Sequence, residues 1–257
     1  MIPYFEWKTI LLGPLTIQVW GMWVALGMLL ALYIVDRRAK RLKLKSEHLL
    51  DMALWMIVSG IVFSRIFEVV FYEPIFYFSH PFEIVKIWHG GLSSFGGLIG
   101  AALAFFIFAK RKNITKVDVY KIADVLSFAA LFGWMLGRIG CFMIHDHWGA
   151  HSTCPLAMQT PDGPRLEMAF LEILGLIPLA IIFYVSRKKQ KPDGWFTAIL
   201  FIYYGVLRFI LDFFRATDIA GYDARYLGLT PGHYSAIVLL ACGIWIYRKK
   251  SNGKVTK

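Results

Sequence analysis

Long apolar stretches constrain this chain more than any other feature, because a helix that crosses a bilayer needs about 20 mostly apolar residues. Across the 257 residues, 58% are hydrophobic and only 18% are charged, whereas roughly a quarter of the residues in soluble domains are charged. The sequence therefore predicts an all-α integral membrane protein that forms a single polytopic domain over 1–257. The seven predicted spans are 15–35, 50–72, 92–109, 122–144, 166–186, 195–214 and 233–247.

Basic residues are concentrated in alternate loops, and the chain carries a net charge of +11. The loops rich in Lys and Arg are 37–48, 110–121 and 187–194, together with the segment after the last span. The short loops poor in Lys and Arg are 73–91, 145–165 and 215–232. Because cytoplasmic loops carry the excess of Lys and Arg, we predict an external N-terminus and a cytoplasmic C-terminus. Topology accounts for the basic charge, which therefore does not indicate a nucleic-acid partner.

Three arginines lie inside predicted spans, where a central arginine costs about 2.5–3.5 kcal/mol on insertion scales. These are Arg65, Arg138 and Arg208. Acidic residues accompany them: Glu68 and Asp212 share helix faces with Arg65 and Arg208, and Glu172 lies in the fifth span. Buried ion pairs that join helices are one interpretation. A cavity that binds an anionic headgroup is the other, because a guanidinium grips phosphate oxygens in a fork. The excess of arginine favours the anion site.

Glycines and serines cluster in the segment 88–100, which opens the third span. Such residues let a backbone approach a phosphate at a helix N-terminus, or let two helices pack closely. Composition alone favours packing.

A His145-Asp146-His147 cluster follows the fourth span on the predicted outer side. Histidines beside a carboxylate can supply a general base. Activity should then fall as the pH drops through the histidine pKa, which is about 6.5 unless it is perturbed. An interfacial anchor is the alternative. The H-x-H spacing is also found in metal sites, but His151 is the nearest further ligand, so we predict no metal. Pairing of Cys141 with Cys154 stays open.

Several residues match, in order, the motifs of one known family. They are Trp88, Gly90, Gly91, Ser93, Gly96 and Gly97; then Gly137, Arg138, Gly140 and Phe142; then Pro164, Arg165 and Glu172; and finally Arg208, Asp212, Phe213, Phe214 and Arg215. On these residues the chain resembles the bacterial prolipoprotein diacylglyceryl transferases over nearly its whole length.

The chain also departs from that family at positions near the expected chemistry. Phe95 replaces the family's functional histidine, and Trp20 replaces its usual tyrosine in the first span. In the signature that contains Arg138, the replacements are Cys141 and Ile144 for two asparagines, His145 for a glycine and Asp146 for a glutamate. Asp212 likewise replaces a later glutamate. These differences indicate a divergent branch.

The resemblance implies transfer of a diacylglyceryl group from phosphatidylglycerol to a lipoprotein precursor's cysteine thiol, without a cofactor, at the bacterial cytoplasmic membrane. Catalytic roles are expected for Arg138, Arg208, His145, Asp146 and His147. Lipid or phosphate contacts are expected from Arg138, Arg208, Asp212, Ser93, Gly96, Gly97, Arg65 and Glu172. Because Phe95 removes the expected base, two alternatives stay open. One is a paralogue with another acceptor or headgroup reaction, and the other is a non-catalytic lipid-binding protein.

Overall fold

The computed structural model describes residues 1–13, 15–87, 90–219 and 225–251. Its α-helices in these ranges are α1 (Val19–Arg41), α2 (Ser46–Phe67), α3 (Pro74–Ser79), α4 (Ser94–Arg111), α5 (Lys116–Ile144), α6 (Met168–Ser186), α7 (Trp195–Asp212) and α8 (Pro231–Ser251). The chain divides into two compact units, one of 32–122 and one of 1–31 with 123–257. The predicted single domain stays a prediction.

Among the described residues, six helices are long and apolar enough to cross a membrane, which makes the chain a mostly helical, multi-pass membrane protein. They are Val19–Arg41, Ser46–Tyr72, Ser94–Arg111, Asp118–Ile144, Met168–Ser186 and Trp195–Asp212. The seventh predicted span does form a helix, α8, but it is not among the six. The apolar part of α8 lies between His233 and Arg248, which is shorter than the about 20 residues that a bilayer requires.

The part of the chain that the structure describes also contains five short strands, which the all-α prediction did not include and which lie before and between the helices. Strands β1 (Thr9–Leu12) and β2 (Leu15–Gln18) form an antiparallel hairpin ahead of α1. The predicted loop 145–165 contains most of a second antiparallel sheet, whose strand order is β3-β5-β4. These strands are β3 (Trp148–His151), β4 (Met158–Thr160) and β5 (Gly163–Glu167).

In the unit of 32–122, glycines let α4 lie directly against α2. A Cβ on Gly96 would lie 2.5 Å from the Phe63 carbonyl oxygen, and one on Gly100 would lie 2.5 Å from the Ser59 carbonyl oxygen. Ser59 also donates a hydrogen bond to the Gly100 carbonyl at 2.9 Å. The packing interpretation therefore accounts for these two glycines. Beyond α2, a π-helical turn (Glu68–Tyr72), α3 and a 3-10 helix (Pro81–Val85) form the following segment.

In the other unit, small residues bring further pairs of helices together. A Cβ on Gly27 of α1 would lie 2.4 Å from the carbonyl oxygen of Gly133 of α5, and one on Gly205 of α7 would lie 2.9 Å from the carbonyl oxygen of Ala236 of α8. Such approach is typical of membrane helices, which associate largely through van der Waals packing.

Asp124 fixes where α7 begins. Its carboxylate accepts hydrogen bonds from the backbone N–H groups of Gly194 at 2.8 Å and Thr197 at 2.9 Å. These are among the N–H groups that a helix N-terminus leaves without an intrahelical partner. The contact joins α5 to the start of α7 and so aligns the two helices that carry Arg138 and Arg208.

Candidate active site

A buried carboxylate, Glu172 of α6, collects hydrogen-bond donors from two other helices. Its Oε1 atom accepts from Arg138 Nε at 2.9 Å, Trp134 Nε1 at 2.8 Å and the Tyr204 hydroxyl at 3.1 Å. Its Oε2 atom accepts from Arg208 Nη1 at 3.3 Å. Glu172 is only 2% exposed. The structure therefore brings together Arg138, Arg208 and Glu172, three of the residues selected from the sequence.

Two members of this cluster, Trp134 and Tyr204, were missed at the sequence level. Each lies four residues before an arginine, so it shares a helix face with Arg138 on α5 or with Arg208 on α7. The Arg138 guanidinium carbon also lies 4.9 Å from the centre of the Trp134 ring, within cation–π range. An aromatic donor four residues before a buried arginine was the available signal.

Asp212 holds Arg208 from the other side. Its Oδ1 atom lies 3.0 Å from Arg208 Nη2, in the i,i+4 ion pair that the sequence predicted. The Thr230 hydroxyl donates to Asp212 Oδ2, and a Cβ on Gly232 would lie 2.1 Å from that oxygen. The carboxylate is thus enclosed between α7 and the start of α8.

Arg65 lies in the unit of 32–122, where its donors are engaged by the segment that follows α2. Its Nε donates to the Ile84 carbonyl at 2.9 Å, and its Nη1 donates to the Gly90 carbonyl at 2.6 Å, the Gly91 carbonyl at 2.7 Å and the Tyr77 hydroxyl at 3.0 Å. These contacts give Arg65 a role in folding that segment. Its predicted lipid contact is not part of the function proposed below.

Ser93 and Gly96 also contribute to packing in this unit. Ser93 is the N-cap of α4, accepting from the Gly96 N–H, and its carbonyl accepts from Ser64 Oγ at 2.7 Å. Phe95 is 44% exposed, and its ring lies edge-on to Phe67 at 5.9 Å. The predicted headgroup contacts of Ser93, Gly96 and Gly97 stay predictions. Two residues of the glycine-rich segment, at 88 and 89, lie outside the described residues.

The two histidines of the His-Asp-His cluster have different surroundings. His145 is 3% exposed, its Nε2 bonds the Phe5 carbonyl, and its ring lies within 5.7 Å of the rings of Tyr4, Phe142 and Trp148. Because a carbonyl only accepts hydrogen bonds, Nε2 carries the proton. Burial lowers the pKa of His145. The ring is engaged in packing, so its predicted role as base has no support from these contacts.

His147 instead meets Cys141 and Asp146. One possible metal-ligand atom from each of the three residues lies within 4.8 Å of the other two. Partial burial, reinforced by the positive charges of Arg138 and Arg215, lowers the pKa of His147 to about 3. The imidazole is therefore neutral at physiological pH, and the acid limb predicted near pH 6.5 does not follow from this residue.

Cys141 connects this cluster to the arginines. Its Sγ lies 3.8 Å from Arg138 Nη1, as expected for residues three apart on α5. Cys141 is buried, and it is a free thiol, as are Cys154 and Cys242. The pairing of Cys141 with Cys154 that the sequence left open is therefore absent.

Two buried side chains of β5, Arg165 and Glu167, join the second sheet to the segment after α7 and to the start of α6. Arg165 of β5 donates to both carboxylate oxygens of Asp218, at 2.6 and 3.0 Å. Glu167 caps α6 by accepting from the Phe170 N–H at 2.6 Å, and burial raises the pKa of Glu167 to about 8. The sequence analysis missed Glu167, because nothing in its pattern distinguishes it from an ordinary acidic residue ahead of a helix.

Comparison with known proteins decides the family. The family model described as prolipoprotein diacylglyceryl transferase matches residues 8–248. The chain belongs to this family. A relative from Nitratidesulfovibrio vulgaris strain DP4, named phosphatidylglycerol–prolipoprotein diacylglyceryl transferase, is 32% identical over 254 residues, which cover 96% of this chain and 95% of the relative. A relative of the same name from Nitrosomonas europaea is 31% identical over 96% of this chain and 91% of its own length.

Proposed function

We propose that this protein transfers the diacylglyceryl group of phosphatidylglycerol to the cysteine thiol of a lipoprotein precursor. The thiol sulfur forms a bond to the terminal glyceryl carbon, and the bond from that carbon to a phosphate oxygen breaks. Glycerol phosphate leaves with the electron pair, and the thiol proton is lost. The family match and the names of the relatives support this reaction.

The observation that carries the proposal is the meeting of Arg138 and Arg208 at one buried carboxylate. A guanidinium has five N–H donors, and the bonds to Glu172 and Asp212 use only part of this capacity. The remaining donors are available to phosphate oxygens. In a membrane interior of low dielectric constant, fixed donors of this kind stabilise developing negative charge strongly, because they need no reorganisation during the reaction.

The two acidic partners keep the arginines in place before lipid binds. When Glu172 and Asp212 are ionised, their charges cancel those of the two arginines. This pairing lowers the desolvation cost of burying the arginines and leaves N–H donors directed at the site. Asp212 is a positioning residue for Arg208, as expected from the family motif. Glu172 positions both arginines, so its predicted lipid contact becomes an indirect one, made through Arg138 and Arg208.

The acceptor thiol would lose its proton at the end of α5, where Asp146 and His147 lie beside Cys141. Of the two histidines that the sequence offered as base, only His147 lies in this group, since His145 is packed among aromatic rings. These residues follow directly after a candidate membrane span, at a depth suited to an acceptor whose cysteine lies near the membrane surface.

The topology that completes the proposal has seven spans, with α8 as the last, an external N-terminus and a cytoplasmic C-terminus in the bacterial inner membrane. The alternation of basic loops supports this orientation. It puts Asp146 and His147 on the outer side of the membrane, where an exported lipoprotein precursor would arrive.

The test measures transfer by the purified full chain in phosphatidylglycerol-containing vesicles, with a labelled peptide carrying one cysteine as acceptor. Arg138→Lys and Arg208→Lys keep the charge but lose the fork. Each should reduce kcat by about 100-fold or more, the usual effect of removing one transition-state donor. Arg111→Lys, at the exposed end of α4, is the matched control and should transfer at the native rate.

Insertion and folding of the variants are checked by size-exclusion chromatography and by thermal unfolding. Near-native transfer by both lysine variants would contradict the phosphate-clamp proposal and leave the arginines with a structural role alone. Failure of the native chain to transfer lipid in vitro, and to rescue a strain depleted of its own diacylglyceryl transferase, would contradict the function.

A further inference from the structure

We propose that Cys141, Asp146 and His147 form a three-ligand site for zinc, and that the acceptor thiolate binds this metal as the fourth ligand. The role assigned to the acceptor rests on the function proposed above. The zinc site does not depend on that function, and metal binding alone tests it.

The geometry of the three side chains suits a tetrahedral metal. Their candidate ligand atoms lie within 4.8 Å of one another. Zinc bonds of about 2.0–2.3 Å would hold tetrahedral ligand atoms about 3.3–3.8 Å apart, so movements of about 1 Å close the site. Cys141 is buried, His147 is partly buried and Asp146 is exposed. A metal would therefore reach the site from the Asp146 side.

The ligand types are those that zinc accepts: one thiolate, one imidazole and one carboxylate. The thiolate and the carboxylate together carry two negative charges, which balance Zn²⁺. The neighbouring positive charge of Arg138 is already paired with Glu172 at 2.9 Å. A zinc ion at this position therefore leaves the local charge close to balanced.

A contact outside the ligand set prepares His147 for a metal. Its Nδ1 lies 2.9 Å from the carbonyl oxygen of Asp146, and a carbonyl only accepts, so Nδ1 carries the proton and Nε2 carries the lone pair. Histidines that bind metals commonly donate their second N–H to a backbone carbonyl in this way. With Nδ1 protonated, Nε2 carries the lone pair that a metal would bind.

Three protein ligands leave one tetrahedral position open, which is the arrangement of catalytic rather than structural zinc. A thiol that binds zinc is deprotonated, so the metal supplies the function for which this chain lacks the family's histidine at position 95. In the proposed reaction, the acceptor S–H proton passes to water when the sulfur binds the metal. The bound sulfur then forms the C–S bond, and the C–O electron pair leaves on glycerol phosphate, without any redox change.

The position relative to the phosphate clamp fits this step. Cys141 Sγ lies 3.8 Å from Arg138 Nη1, so a metal bound to that sulfur lies close to the guanidinium expected to hold the phosphate. Nucleophile and leaving group would then be held by neighbouring residues of one helix. The differences from the family signature at Cys141 and Asp146 would then both serve to bind the metal.

The first experiment measures metal binding without any transfer reaction. The purified full chain is loaded with Zn²⁺, passed through a desalting column and analysed for bound zinc, and Co²⁺ loading is followed by the thiolate-to-cobalt absorption band. We expect about one zinc per chain and a clear charge-transfer band. Cys141→Ser and His147→Gln should lower zinc affinity by at least about tenfold, since even the loss of a second-shell partner costs about 10- to 100-fold.

Matched controls are Cys154→Ser, Cys242→Ser and His151→Gln, which should bind as the native chain does. Cys141→Asn restores the family's own residue type, so it is expected to fold, and it should bind zinc weakly or not at all because it removes the thiolate ligand. Equal zinc content in the native chain and in Cys141→Ser, Cys141→Asn and His147→Gln, or no charge-transfer band in the native chain, would overturn the site.

The second experiment tests the fourth ligand. A cysteine-containing acceptor peptide should change the cobalt spectrum, whereas the matched serine peptide should not. An unchanged spectrum with the cysteine peptide would overturn the acceptor's role. If transfer proceeds at the native rate after the metal has been removed by a chelator, the zinc proposal fails and the proposed function stands. If metal and thiol bind but no lipid is transferred, the function fails and the site stands.

Discussion

His145 adopts φ +52°, directly after the end of α5. The left-handed region costs a residue with a side chain about 1–2 kcal/mol relative to glycine, and glycine is the residue that the family signature has here. The ring contacts with Tyr4 and Trp148 and the bond to Phe5 offset this cost. The residue therefore fixes the chain direction between α5 and β3.

Truncating this side chain separates its two contributions. His145→Ala loses the ring contacts and keeps the unfavourable φ, whereas His145→Gly loses the contacts and relieves the backbone. We expect both variants to be less stable than the native chain, with the glycine variant about 1 kcal/mol more stable than the alanine variant. Chemical unfolding in detergent measures the difference, and equal stabilities would show that the backbone is unstrained.

The same pair of variants addresses catalysis. A residue that only packs should leave the transfer rate per folded molecule near native, because it does not touch the reacting atoms. A large loss of rate in well-folded His145→Gly would instead restore His145 as the base that the sequence analysis allowed.

For individual residues, those that could be predicted from sequence are the ones whose charge is costly to bury. Arg138, Arg208, Glu172 and Asp212 could be selected from sequence because ionisable residues inside membrane spans are rare and need partners. The different surroundings of His145 and His147 could not be predicted from sequence. They depend on which of the two rings turns towards Phe5 and the aromatic side chains.

Among the helices, close glycine contacts decide which pairs lie together. Gly27 and Gly133 each approach the other's carbonyl oxygen, at 2.4 and 2.6 Å from an added Cβ. Gly21, on the same helix, has nothing nearer than 3.9 Å to its own added Cβ. The two glycines of α1 therefore differ in surroundings while sharing helix type and sequence neighbourhood.

Alanine substitution should distinguish them. Gly27→Ala forces α1 away from α5, and we expect a loss of about 1–3 kcal/mol in unfolding free energy, as for overpacked cores. Gly21→Ala is the matched control and should be neutral or slightly stabilising, because alanine is the better helix former by about 1 kcal/mol. Comparable destabilisation by both variants would contradict the close contact.

The positions of six of the seven predicted spans could be read from hydropathy, because each long apolar stretch can satisfy its backbone only as a helix. The first began too early, since Leu15–Gln18 pairs as a strand. The sheet of β3, β4 and β5 was not predicted. Its strands have three to five residues and depend on non-local contacts such as Arg165 with Asp218, which no periodicity in so short a segment reveals.

For the whole chain, the basic-residue pattern makes a prediction about orientation. Single cysteines are introduced at exposed positions in a Cys154→Ser, Cys242→Ser background, which retains the buried Cys141. Cysteines on the predicted cytoplasmic side should react with a membrane-impermeant maleimide only after permeabilisation, and those on the outer side should react in intact cells. The inner set is Leu42→Cys, Lys112→Cys and Lys191→Cys, and the outer set is Phe82→Cys and Leu227→Cys.

External labelling of any inner position would contradict the orientation and move Asp146 and His147 to the cytoplasmic side. Asp146 and His147 would then face the cytoplasm, where they could not meet a lipoprotein precursor that has already been exported. That result would contradict the proposed function.

One carboxylate, Glu172, accepts from Arg138 through one oxygen and from Arg208 through the other. The separation of the two guanidinium groups is thus set by the width of a single side chain from a third helix. Sliding or rotation of α6 moves both arginines together, so they behave as one mechanical part with a shared anchor. A change anywhere along α6 that displaces this anchor is therefore expected to shift both arginines of the proposed phosphate clamp at once.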